Sequence, residues 1–466
     1  MNSAEVMGLS AEFQSVGFDP GAAREILKAL PERCAVFALY GEAANAEPYI
    51  GRTPNLRGRL ERLLIPSPKH PKRLQLAGRV RRIEWRLTGS DFESLLLQFD
   101  LLQKVYGAKA LERMHLGAPA FVRFLGGNSY PRVTVTNRPS QKEAEWAYGP
   151  FASRAVAERF ADEALKLFLL RRCTEDLEPD PSHPGCVYSE MKMCLAPCYK
   201  GCSDERYAEE AAAVERFLAT RGESKLVQLR AARDEASGNL EFESAAALHA
   251  QVQKAEAVRA LAPELVRPMG QLRAVVMQPP AVGPTAPSAP SPEVAVFMYL
   301  NGRLRGPVAF STLGMRIQNE QSGSSSLFAQ PMALEAVAEG RDSRDQAPGT
   351  GDKKGREQED KDPSASLRTG SGTEGQRDRV AARAARTMLE ARMEAVLAEL
   401  EKPMEAPNAV VRQGHLALLK RWYYRPEVKR PGEICFPDDE GAWPVRAMLR
   451  AVGRIAAKSL TGAATS

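Results

Sequence analysis

Four cysteines, Cys173, Cys186, Cys194 and Cys198, are the residues of this chain whose type and spacing most clearly suggest chemistry. The last two sit in Met193-Cys194-Leu195-Ala196-Pro197-Cys198. The whole chain of 466 residues holds only seven cysteines, so this crowding is not a matter of composition. Thiolates grouped in this way suit a soft metal centre, either an iron–sulfur cluster or tetrahedral Zn²⁺. Spacing alone does not separate the two. The competing reading is four unrelated buried thiols, because free cysteine is among the most buried residue types.

A second group of residues suggests contact with phosphate. Between Gly51 and Ser90 there are eleven Lys or Arg against two acids, Glu61 and Glu84. Arg52, Arg57, Arg59, Arg62, Lys72 and Arg73 belong to this run. The formal net charge of +6 is modest, so the local excess carries the argument. Such an excess is what neutralising a nucleic-acid backbone requires. The plainer alternative is a solvated helical face.

These residues need elements to hold them. Residues 22–30 have helical spacing, and residues 1–32 are expected to form an N-terminal helical extension. Residues 34–40 and 47–50 read as short strands, and 55–64 as a helix. Residues 80–87 alternate Ile83, Trp85 and Leu87 with polar positions, the pattern of a half-buried strand. Ser90-Asp91-Phe92-Glu93 opens a helix running to about Tyr106 with a capping box. A helix over 150–172 leads into the cysteines. Residues 203–261 read as two or three helices, with 224–236 and 241–260 forming an antiparallel hairpin around Gly238-Asn239.

Further on, residues 263–292 read as a linker, proline-rich from 279. Residues 294–299 and 304–310 flank Asn301-Gly302, a hairpin turn signal, in a β-hairpin region over 293–339. Residues 340–379 are charged and nearly free of apolar side chains, which predicts disorder. A helical segment is expected over 380–466. In its tail, Lys420-Arg421-Trp422-Tyr423-Tyr424-Arg425 would either stack on nucleic acid or pack on its own domain; the second is the commoner fate of aromatics beside basic residues. An odd cysteine count and no secretion signal point to a reducing, cytoplasmic setting. No apolar run reaches the length of a membrane span.

The order of these segments resembles the UvrC family of excinucleases in bacterial nucleotide excision repair. The likeness covers residues 33–260. Ala35-Val36-Phe37, Tyr49-Ile50-Gly51 and Asn55-Leu56-Arg57-Gly58-Arg59-Leu60 are similar to a GIY-YIG nuclease module, here over 33–125. Ser129-Tyr130-Pro131-Arg132 and Tyr148-Gly149-Pro150-Phe151 are similar to family signatures, in a connecting and cysteine-bearing region over 126–202. Asn239-Leu240-Glu241-Phe242-Glu243-Ser244 resembles the UVR motif, in a helical hairpin over 203–262.

The resemblance implies a multidomain α+β fold. It would have a small GIY-YIG-like α/β domain, a cysteine-cluster region, a UVR helical hairpin and an irregular C-terminal part with a disordered segment. It also implies a 4Fe–4S cluster on Cys173, Cys186, Cys194 and Cys198, with Zn²⁺ as the alternative, and DNA and a UvrB-like helicase as partners. Phe242, with Leu240 and Glu243, is the expected anchor on that helicase. Arg57, Arg62, Lys72 and Arg73 are expected to contact DNA.

By the same resemblance Tyr49 takes the place of the tyrosine that handles the proton of the attacking water, Arg59 that of the phosphate-steadying arginine, and Arg52 that of the family lysine. Two positions depart from the pattern. Phe37 stands where the family has a second tyrosine, and Gln98 stands where a glutamate holds Mg²⁺ or Mn²⁺. An amide oxygen is a poor ligand for a hard cation. On a helix Glu93 and Asp100 point about 140° and about 160° away from Gln98, so neither replaces it directly. Either the chain incises DNA 3′ of a lesion through a weakened site, or it is a pseudonuclease that binds and recruits. After the strand pair at 294–310 no acid-bearing strands and no helix-hairpin-helix pattern follow. A truncated member without the second, 5′-side incision activity is therefore expected.

Overall fold

In the computed structural model, residues 13–43, 47–66, 74–139, 146–280, 293–313, 315, 317–318, 325–326 and 372–463 are described. The first sheet is built around Ala35–Tyr40, five of whose six side chains are fully buried, the mark of a strand covered on both faces. The order of elements is β1 (Gln14–Gly17), α1 (Ala23–Lys28), β2 (Ala35–Tyr40), β3 (Tyr49–Thr53), α2 (Leu56–Leu64), β4 (Arg82–Leu87) and α3 (Asp91–Tyr106). The four strands are antiparallel in the order β1-β4-β2-β3. Asn55 caps α2 by accepting from Gly58 N–H at 2.7 Å. Ser90 caps α3 by accepting from Glu93 N–H at 3.1 Å. The Glu93 carboxylate turns back to Gly89 N–H at 2.8 Å, one residue earlier than a capping box would have it.

The expected N-terminal helical extension is corrected here. Residues 1–12 lie outside the described residues, and Gln14–Gly17 is a strand paired with Arg82–Trp85. The exposed edge of β4 supplies the hydrogen-bond partners that a stretch this short cannot make for itself.

The second sheet follows α4 (Ala110–Arg113) and contains β5 (Ala120–Phe124), β6 (Val133–Thr136) and β7 (Ala147–Phe151). Next come α5 (Arg154–Leu165), α6 (Val187–Glu190), α7 (Asp204–Ala219), α8 (Glu223–Gly238) and α9 (Phe242–Ala260). β8 (Arg267–Pro268) completes the order β6-β5-β7-β8. The helix expected over 150–172 is shorter than the pattern suggested. Pro150 and Phe151 finish β7, Ser153 caps Val156 N–H at 3.3 Å, and the helix stops at Leu165. The helical hairpin is α8 and α9, with Leu240 at φ 63° in the turn. α8 and α9 share a small core of Leu226, Leu229, Val252 and Ala255.

The third sheet overturns the expected linker and the irregular C-terminal part. β9 (Ala274–Gln278) lies inside the residues read as linker, and of that linker 281–292 lie outside the described residues. β10 (Glu293–Leu300) and β11 (Arg303–Ser311) form the anticipated hairpin, turning through Asn301 and Gly302 at φ 50° and 80°. A two-residue pair, β12 (Ile317–Gln318) and β13 (Ser325–Ser326), follows. α10 (Gly372–Glu401) begins inside the stretch read as disordered, because Gln376-Arg377-Asp378-Arg379 continue the helix-favouring run of the segment after them; residues 340–371 lie outside the described residues. α11 (Ala409–Tyr423) and α12 (Val445–Ala463) flank β14 (Glu433–Cys435), a strand where only helix was expected. The order is β11-β10-β9-β14, all antiparallel.

This sheet buries both faces. Val275, Met277, Val294, Val296 and Met298 pack under α10 and α12. Ala274, Val276, Ala295, Phe297 and Tyr299 pack against α11 and α3. The alternation is the period-2 geometry of a strand read out on two cores. α3 therefore lies between the first sheet and the third. Phe92 touches Phe297 and Trp422 edge-on, with ring centroids 5.3 Å and 5.6 Å apart. A Cβ on Gly414 would overlap the Phe99 ring, so glycine lets α11 approach α3 this closely.

Candidate functional site: a four-thiol loop and a basic first domain

The thiol loop runs between α5 and α7 with little regular structure of its own. Backbone bonds from Leu195 N–H to Leu169 O (3.0 Å) and from Asp180 N–H to Cys198 O (2.9 Å) fold it back on itself. Ala196 and Lys200 adopt left-handed conformations that turn the chain around the second cysteine pair. Cys173, Cys186, Cys194 and Cys198 are all half-buried free thiols. Burial pushes the Cys194 thiol up to about 11, against a hydrogen bond from Ala196 N–H, and the neighbouring Cys173, Cys198 and Cys186 push it further. Burial also raises Cys198, with Cys186 and Cys173 adding to it. Cys194 and Cys198 each feel the other thiols of the quartet.

Among the described residues no three His, Cys, Asp or Glu side chains are grouped to hold a metal ion. Thiolates on one zinc, each about 2.3 Å from it, would stand within roughly 4 Å of each other. A polynuclear cluster spreads the same ligands over its corners. Four half-buried sulfur donors on one loop are the donor chemistry of a soft metal centre, iron–sulfur cluster and zinc ion alike. Cys202 packs against the core beneath the second sheet.

One family-like sequence, Ser129-Tyr130-Pro131-Arg132, braces the loop. Tyr130 donates its hydroxyl to Asp204 at 2.7 Å, and its carbonyl accepts from Arg171 at 3.0 Å. The Pro131 carbonyl accepts from the Tyr207 hydroxyl at 2.8 Å, and Arg132 reaches the Glu175 carbonyl at 2.9 Å. Tyr148, Gly149 and Phe151 are core. A Cβ on Gly149 would stand 2.6 Å from the Phe121 ring.

In the first domain, Arg59 Nη2 donates to the Tyr49 hydroxyl at 3.4 Å. Phe37 is wholly buried, and its ring covers Gly51. Tyr49 packs with the core of α1 and α2, whereas Ile50 packs toward α3. Strand alternation then puts Arg52 on the α3 side of β3, opposite Tyr49. There Arg52 is bonded to Asp91, whose other oxygen takes Arg425 at 2.6 Å. Gln98 lies seven residues beyond Asp91 on α3, on the same stripe and about 10 Å along the axis. It is half-buried. The structure thus joins Tyr49 with Arg59 and Arg52 with Asp91, and does not gather all five predicted catalytic positions into one contact group.

The three acids that α3 carries are each engaged. Asp91 serves two guanidiniums. Glu93 is buried against Gly89 N–H, and burial raises its pKa, with Arg86 opposing. Asp100 bonds to His415 Nε2 at 3.1 Å.

Of the expected DNA contacts, Arg57 is held by Leu30 O at 2.8 Å and by Glu32 at 2.5 Å, and Arg62 is exposed with its Nε on Gly58 O. Lys72 and Arg73 lie outside the described residues. At the hairpin turn Leu240 is 71% exposed and Phe242 67% exposed, with Glu243 also exposed. In the tail, Trp422 is fully buried and Tyr423 and Tyr424 pack on the same core, so these aromatics are not free to stack on a base.

Sequence reasoning missed Arg171, Tyr207, Asp91, His415 and Arg425. Their partners are far along the chain, and only the adjacency of Arg171 to Cys173 left any signal in the sequence.

Residues 121–217 match the family model described as UvrC/Cho excinuclease, middle domain. Among curated relatives, the UvrABC system protein C of Ruminiclostridium cellulolyticum is 28% identical over 235 residues, which is 49% of this chain and 37% of the relative. The proteins of that name from Escherichia fergusonii and Shigella dysenteriae serotype 1 are each 29% identical over 234 residues, 50% of this chain and 37% and 40% of the relatives. The chain thus spans about two fifths of the length of the curated relatives it matches. No solved structure matches.

Proposed function

This chain belongs to the UvrC/Cho excinuclease family through its middle domain, and from that premise we propose that it serves nucleotide excision repair as a DNA-holding pseudonuclease that recruits a UvrB-like helicase. The observation that carries this reading is the state of α3. Gln98 stands at the position of the metal-holding glutamate, and the nearby acids Asp91, Glu93 and Asp100 are each tied to another partner. No spare carboxylate remains among them to bring Mg²⁺ or Mn²⁺ to a scissile phosphate.

In this reading the basic residues of the first domain hold the DNA backbone. Cys173, Cys186, Cys194 and Cys198 would hold an iron–sulfur cluster, which when bound supplies a redox-sensitive inorganic core to the loop. Leu240 and Phe242, exposed at the hairpin turn with Glu243 beside them, would dock on the partner's own apolar surface. A cytoplasmic setting follows from the DNA partner, and among the described residues no helix is long and apolar enough to cross a membrane.

The test is a nicking assay on lesion-bearing duplex with Mg²⁺ or Mn²⁺. The wild type is expected to bind without cutting, and Gln98→Glu to gain activity. A second reading, weak incision 3′ of the lesion, draws on the retained contact between Arg59 and the Tyr49 hydroxyl. If the wild type nicks and Tyr49→Phe abolishes the nicking, that second reading replaces the first.

A further inference from the structure

Arg171 is 2% exposed and sits two residues before the first cysteine of the quartet. Its Nε donates to Tyr130 O at 3.0 Å, and its Nη1 donates to Glu175 O at 2.8 Å and to Cys173 Sγ at 3.4 Å. Its own backbone N–H donates to the Tyr207 hydroxyl at 3.2 Å, which is in turn anchored on Pro131 O. Among the described residues no carboxylate pairs with this guanidinium. Glu175 offers only its carbonyl, and the neighbouring Asp176 is exposed and pairs with Arg132. A guanidinium removed from water without a counter-charge is strongly disfavoured, so buried charges are normally paired. Carbonyl dipoles satisfy its N–H groups but not its charge. What lies against it is a sulfur of the quartet.

We propose that Arg171 is a positioning residue for the thiol centre, the buried counter-charge of a net-negative iron–sulfur cluster and the N–H donor that fixes its Cys173 ligand. The inference rests on the iron–sulfur reading above. The potential of such a cluster is set by its net charge, by hydrogen bonds to its sulfurs and by exposure. A neighbouring cation and an N–H···S bond both favour the reduced, more negative state. Arg171 therefore raises the potential, and it holds the ligand against loss through the brace to Tyr130 and Tyr207.

The experiment uses the full chain, purified and reconstituted anaerobically, as wild type, Arg171→Gln, Arg171→Lys and Tyr207→Phe. Iron per chain, visible absorption, midpoint potential and the rate of iron release to a chelator are read. Arg171→Gln is expected to lower the potential and speed iron release several-fold. Arg171→Lys keeps the charge but not the fork, so its potential stays near wild type while release is faster. Tyr207→Phe speeds release and leaves the potential in place. Equal potential and equal release in Arg171→Gln and wild type, at equal iron content, overturn the proposal. Should Arg171→Gln fail to fold, Arg171→Lys decides it, and release at the wild-type rate overturns it. A wild type that takes up zinc or no metal sinks the iron–sulfur reading itself, a result distinct from iron-loaded variants that behave alike.

Discussion

Tyr148 shows how a family-like signature residue can be structural. Burial pushes its phenol up to about 12, against the opposing pull of Arg221, Arg259 and Arg267. An acid whose folded pKa exceeds its unfolded value adds stability below the unfolded pKa, near 10, and that stability is lost as pH rises through the folded one. For Tyr148 the window runs from about 10 to about 12, worth on the order of 2–3 kcal/mol. Tyr299 and Tyr424 shift in the same direction, also through burial. Alkaline titration followed at the tyrosinate band should show two steps, the second coinciding with loss of the far-ultraviolet circular dichroism signal. Tyrosinate rising in one step, with the fold intact, would contradict this. At the residue scale the thiol quartet, Gln98 and Phe37 were legible in the sequence because each is a residue type at a spacing. The engagement of Asp91 and Asp100 was not, because their partners, Arg425 and His415, come from distant parts of the chain.

Among the elements, α8–α9 and α11 make opposite demands. The hairpin turn leaves Leu240 and Phe242 in solvent, so Phe242→Ala should change thermal stability by no more than about 0.5 kcal/mol. It should cost about 2 kcal/mol or more in binding to UvrB, measured by titration calorimetry, if this apolar pair is the anchor. Unchanged affinity would remove the partner assignment. Gly414→Ala should do the reverse, because its methyl meets the Phe99 ring between two helices that cannot part freely. A loss of about 1–3 kcal/mol is expected in chemical denaturation, with hairpin binding intact. Strands β2 to β4 and the helices of the first 260 residues were largely readable from periodicity and caps such as Asn55, Ser90 and Ser153. The second sheet, β5 to β8, was not anticipated, and neither were β1, β9 and β14. Each is short, and what makes it a strand is a partner edge supplied from elsewhere in the chain.

On the scale of the molecule, α3 serves two domains. It covers the first sheet on one side, and with α11 it forms the outer layer of the third sheet. The two ring nitrogens of His415 join them: Nδ1 accepts from Leu304 N–H at 2.9 Å, so Nε2 carries the proton toward Asp100. A fragment ending at residue 262 should therefore bare Phe92, Leu95, Leu96 and Phe99, bind a hydrophobic dye and melt below the full chain. A fragment as stable as the whole chain, with no dye binding, would show that the third sheet is dispensable to α3. The apolar run from Val294 to Leu300 was legible as one arm of a hairpin, and its burial on both faces came with the structure. That one of its covers would be a helix from the opposite end of the sequence was beyond any local pattern.

The separation between Asp100 and His415 is 315 residues. At translation rates of about 5–20 residues per second, α3 emerges from the ribosome about 15–60 s before the helix that finally covers it. Throughout that interval a newly made chain carries a greasy, uncovered ridge. Its biogenesis should therefore lean on chaperones that shelter nascent chains, and cells short of them should yield less of it in soluble form.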